Sequence, residues 1–136
     1  IDKPPQGPVE KPVTDEQFAK GKILELLKAW CAAYEAIDPG AVQVLFPTIN
    51  MKQLEIQLNK SKYNSVTCTV GEPTYMALDA IKGTAKVRVE TKRVFVHTFR
   101  AQKPEEQELI ATLQLRRAES RSPWLIAQAD FVPKPK

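Results

Sequence analysis

Apolar residues recur at helical spacing early in the chain. Ile23, Leu27, Trp30 and Tyr34 fall at i, i+4, i+7 and i+11, Leu26 and Ile37 widen the stripe, and Glu25, Lys28, Ala32 and Glu35 lie opposite. The pattern predicts one long amphipathic helix over residues 14–37. Thr14 with Gln17 supplies a capping box, and Val13 with Phe18 a hydrophobic staple at its start. Asp38, Pro39 and Gly40 end it, because the residue before a proline is pushed out of helical geometry. A second start signal follows at once, with Asp38 as N-cap and Pro39 at the first helical position, predicting a short helix over residues 38–46. Asn50 with Gln53 and Ile49 with Leu54 repeat the motif for a third helix, whose buried side is Met51, Leu54 and Leu58.

From residue 64 the period changes to two. Val66, Cys68 and Val70 alternate with Ser65, Thr67 and Thr69, and Gly71, Glu72 and Pro73 interrupt before the pattern resumes over residues 74–78. The next predicted strand, residues 83–99, is long. Its odd positions, Ala85 through Val87, Val89, Thr91, Arg93, Phe95 and His97, form the buried face, and its even positions are mostly charged. Residues 107–119 and 124–132 complete the strands, the last carrying Gln128 and Asp130 at the same parity as Trp124 and Ile126. Pairing Val96 with Ile110 in the long hairpin sets Glu90 opposite Arg116 and gathers Val94, Val96 and Ile110 on the outer face. Such a patch on a sheet face is a candidate contact with a second copy of the chain.

The 136 residues suit one domain, placed at residues 14–132 with a frayed end at 133–136. Residues 1–13 hold Pro4, Pro5, Pro8 and Pro12 with almost nothing apolar between them, which predicts a solvated linker and, upstream of it, another domain or an anchor. The chain begins at Ile1 and reads as a processed piece, a soluble segment whose compartment stays open, an extracytoplasmic one included. A net charge of +4, from 20 basic and 16 acidic residues, is too mild for a nucleic-acid footprint. No apolar run reaches the roughly 20 residues a membrane-spanning helix needs. Cys31 and Cys68 lack the spacing of a zinc or redox motif; the simpler reading is two buried free thiols, the alternative a disulfide in an oxidising compartment. With one histidine in the chain, neither a metal site nor a cofactor is expected.

The order of elements, a long helix carrying Ala29, Trp30, Cys31, Ala32, Ala33, Tyr34, Glu35, Ala36, Ile37, Asp38 and Pro39, then Leu45, Phe46 and Pro47, then long strands ending in Trp124, Leu125 and Ile126, resembles the nuclear transport factor 2-like superfamily, which includes SnoaL-like and ketosteroid-isomerase-like domains. The resemblance implies an α+β cone: three N-terminal helices, then a strongly curved antiparallel sheet of about four to six strands around the first helix, with a pocket at the open end. It also implies dimers joined through the outer sheet face.

Enzymes of that superfamily work with an aspartate or histidine base, and no residue here matches such a set by motif. The candidates are Arg93 and His97 on the inward parity of the long strand, with Trp30 and Tyr34 on the facing helix. Their plain structural alternatives are an Arg93 that snorkels to the cone mouth and a His97 that caps the strand end. Arg93 in a partly desolvated site would hold an anionic small molecule, with His97 as a further donor. Three readings follow in order: a non-catalytic ligand-binding or sensory module, a dimerising association domain, and a small enzyme.

Overall fold

A computed structural model describes residues 15–99, 101–119 and 122–135. The linker expected over residues 1–13, the Thr14 cap and the Val13 half of the staple lie outside that range. Three helices come first: α1 (Asp15–Glu35), α2 (Pro39–Leu45) and α3 (Met51–Gln57). Five strands follow: β1 (Tyr63–Val70), β2 (Thr74–Asp79), β3 (Thr84–His97), β4 (Glu105–Arg116) and β5 (Leu125–Pro133). They form one curved antiparallel sheet in the order β1, β3, β4, β5, with β2 also paired to β3. β1 takes the C-terminal half of β3, from Thr91 to His97, and β2 its N-terminal half, from Thr84 to Arg88. The Gly71-to-Pro73 interruption is the step between them, and there the Gly71 amide donates to the Glu90 carbonyl at 2.8 Å. Gly83 turns β2 into β3 at φ 75°, where an added Cβ would lie 2.7 Å from the Arg117 carbonyl oxygen, so only glycine fits.

The expected stripe of α1 is its buried face: Ile23, Leu26, Leu27, Trp30 and Tyr34 all pack against the concave side of the sheet. Opposite them stand Val87, Val89, Phe95, Ala111, Leu113 and Ile126. α1 ends with Ile37 in the left-handed region at φ 52°. The Ile37 amide donates to the Tyr34 carbonyl at 3.0 Å and the Asp38 amide to the Ala33 carbonyl at 3.2 Å, a Schellman closure. Asp38 is thereby free to cap α2, accepting from the Ala41 amide at 3.2 Å, and Asn50 caps α3 by accepting from the Gln53 amide at 3.1 Å. Cys31 on α1 and Cys68 on β1 are joined as a disulfide rather than left as free thiols.

The structure corrects the sheet in three places. In the β3–β4 hairpin Glu90 faces Ile110, not Arg116, and Val96 pairs with Ser65 of β1. The slip is an even number of residues, so every side chain keeps its face while its neighbours change. Glu90 pairs instead with Lys134 at 2.7 Å. Val94 and Val96 are consequently separated from Ile110 on the outer face by Lys92, which pairs with Glu106 at 3.3 Å and Glu108 at 3.8 Å. The three residues form no contiguous apolar patch. Second, β5 carries an irregularity: Gln114 faces Gln128 and Leu115 faces Ile126, so Ala127 is extra. The parity shared by Trp124, Ile126, Gln128 and Asp130 is broken there, and Ala129 and Phe131 turn inward instead. Third, the expected fray does not begin at residue 133. β5 runs to Pro133, and the Lys134 amide donates to the Glu108 carbonyl at 2.9 Å.

Candidate functional site

Beyond the C-terminal end of α1 the sheet opens into a cleft of about 700 Å³ between its concave face and α2 and α3. Strand alternation delivers its central residue. Val87, Val89, Thr91, Arg93 and Phe95 all face inward along β3, so the parity that buries three apolar residues also buries a guanidinium. Arg93 is 3% exposed and lines the cleft. Its Cζ lies 3.8 Å from the ring centre of Tyr34, 5.1 Å from that of Trp30 and 5.5 Å from that of Phe131. Such cation–π contacts in a desolvated site are worth about 2 kcal/mol or more. They do not satisfy its hydrogen-bonding capacity. Arg93 Nε and Nη2 are buried without an acceptor, and so is the indole Nε1 of Trp30 beside them.

No described carboxylate compensates that charge. Glu106 and Glu108 reach the rim of the cleft, but they project from the outer parity of β4, are exposed, and pair with Lys92. Burial lowers the pKa of Arg93, a shift partly opposed by Tyr34. A guanidinium nonetheless stays protonated in a protein. Burial likewise pushes the Tyr34 hydroxyl above the usual tyrosine value, with the Arg93 charge pulling the other way. Phe46, Ile49, Leu54, Leu109 and Phe131 supply the apolar part of the remaining lining, and Thr48, Asn50, Gln53, Gln57 and Gln107 its uncharged polar part.

Of the residues singled out in the sequence, Arg93 and Tyr34 meet in this cleft and Trp30 lies directly behind them. His97 does not join them. Phe95 occupies the inward position between it and Arg93, so the two are about 13 Å apart along the strand at about 3.3 Å per residue. The His97 ring packs on Tyr63 at 5.1 Å, and the Tyr63 hydroxyl donates to Glu105 Oε2 at 2.9 Å. Phe131 is the contributor that sequence reasoning missed, because the extra residue at Ala127 moves it to the inner face. Among the described residues no group of three His, Cys, Asp or Glu side chains is placed to hold a metal ion.

No protein-family model matches the chain, and no curated protein matches it in sequence. Solved structures do match it in fold. A scytalone dehydratase-like protein of Novosphingobium aromaticivorans superimposes with a TM-score of 0.74 at 8% identity, covering 89% of this chain and 87% of that one. A nuclear transport factor 2-like superfamily protein of Salmonella enterica gives 0.69 at 12% identity, with 88% and 94% covered. A calcium/calmodulin-dependent protein kinase II association domain-like protein of Xanthomonas campestris gives 0.61 at 18% identity, with 85% and 87% covered. The chain therefore has the nuclear transport factor 2-like α+β cone fold. At these identities the likeness extends to the fold alone, and the names attached to it range from an enzyme type to an association module.

Proposed function

We propose that this domain binds a small organic anion in the cleft between its long helix and its curved sheet, with Arg93 as the residue that holds it. One observation carries the reading: a guanidinium that is 3% exposed, unpaired with any described acid, and short of acceptors at both Nε and Nη2. A buried charge left in that state costs several kcal/mol, and proteins seldom retain one without use. Nε and Nη2 form one edge of the guanidinium, the edge that matches a carboxylate by two parallel hydrogen bonds. Among the lining side chains, the ionisable groups buried in the cleft are Arg93 and Tyr34. Neither is set up as a general base at neutral pH, which favours binding over proton-transfer chemistry.

The test is Arg93→Met, which keeps most of the stem volume and removes the charge. A panel of organic acids is titrated into both proteins by calorimetry. At least one acid should bind the parent and fail to bind a variant whose circular dichroism is unchanged. If no acid binds the parent, or if the variant binds equally well, the reading is wrong.

A further inference from the structure

We infer that the ligand is an amphipathic monocarboxylate that enters head first, its carboxylate on Arg93 and its apolar body along the cleft. This rests on the anion-binding reading above and narrows it. Two features select the class. Arg93 is the one cationic side chain lining the cleft among the described residues, so the site neutralises a single negative charge, not the two of a phosphate or dicarboxylate. Phe46, Ile49, Leu54, Leu109 and Phe131 in the lining reward apolar area, and apart from the two outward-facing glutamates the polar side chains beside them are uncharged. The amides of Gln53 and Gln57 accept a neutral hydroxyl or amide tail without penalty. At about 30 Å³ for a water-sized group, 700 Å³ holds about 20 such groups, room for a body well beyond acetate.

The unaltered protein tests the class, by calorimetric titration with acetate, hexanoate, octanoate and decanoate, the matching alcohols, the straight-chain dicarboxylates and inorganic phosphate. Affinity should rise about fourfold for each added methylene until the cleft is full. The alcohols should bind at least tenfold more weakly than the acids of equal length, and the dicarboxylates more weakly than the monocarboxylates. Phosphate or a dicarboxylate binding as tightly as octanoate overturns the class, while anion binding on Arg93 stands. An affinity that ignores chain length places the body outside the cleft and overturns the orientation. Failure of every acid in the panel sinks the anion-binding reading itself.

Discussion

Arg93→Met should make the ligand-free domain more stable, and the amount follows from the surroundings of the side chain. Two buried donors, Nε and Nη2, lack acceptors, each at a cost of about 1–3 kcal/mol. Against this stands the attraction of the cation to the Tyr34, Trp30 and Phe131 rings, about 2 kcal/mol or more. A methionine in the same place keeps its contacts with the rings through a polarizable sulfur and leaves no donor unpaired. The balance is a gain of about 1–3 kcal/mol, within the range seen when a buried charge is replaced by an apolar group. The assay is urea unfolding followed by circular dichroism, with both proteins first unfolded and dialysed to strip any bound acid. A saturating acid should offset most of that gain or reverse the order. At a hundred times its dissociation constant it adds about 2.7 kcal/mol to the parent and nothing to the variant. If Arg93→Met instead loses more than about 1 kcal/mol in the ligand-free state, the stacking of Arg93 on its rings is structural. The argument from its unpaired donors then collapses.

Trp30 is fully buried between α1 and the sheet, so Trp30→Ala should cost about 3–5 kcal/mol, read as a shift in urea midpoint at constant slope. A loss under about 1 kcal/mol would mean that the wall behind Arg93 is not packed as described. Burial raises the pKa of Tyr34 in the folded state, so the folded protein holds that proton more tightly than the unfolded chain. The stability this contributes is fully present below about pH 10 and is lost as pH rises through the folded value. Tyr34→Phe should therefore flatten the alkaline decline in stability, and identical slopes for the two proteins would contradict it. Self-association through the outer sheet face, if it occurs, should centre on Ile110 and Val132, neighbours in the β4–β5 pairing, and Val132 is 54% exposed. Val132→Glu should then yield monomers in light scattering where Val96→Glu does not, and a parent protein that is monomeric at high concentration removes the idea.

The helices and the inward face of β3 were legible because each is written as a long repeat. The stripe of α1 and the alternation from Ala85 to Phe95 leave one way to bury their apolar sides. Arg93 could be placed inside for the same reason. Hairpin register was not legible, since residues 98–104 fix neither the loop nor its slack, and a shift of any even number of residues preserves every face. His97 shows the matching error on a smaller scale: sharing a parity with Arg93 is not the same as sharing a place. The extra residue at Ala127 was hidden because Ala127 and Ala129 are small on both sides of Gln128, so neither face is marked there. Phe131 was lost from the site with it.

The disulfide has a consequence for the cleft as well as for the fold. Cys31 follows Trp30 directly and lies one turn before Tyr34, while Cys68 is the β1 residue opposite Arg93 in the β1–β3 pairing. The helix that supplies two of the rings and the strand that flanks the guanidinium are thus covalently one body. Closing a loop across 37 residues is worth about 3–4 kcal/mol to the native state, but here it also fixes the spacing of two walls of the cleft. With both thiols reduced, these two walls are held at this point by side-chain packing and by the hydrogen bond from the Cys68 amide to Glu35 Oε2, at 3.1 Å. If the cleft binds the proposed acid, reducing the disulfide should therefore weaken that binding, and an affinity unchanged by a thiol reductant would show that packing alone sets the spacing of the walls.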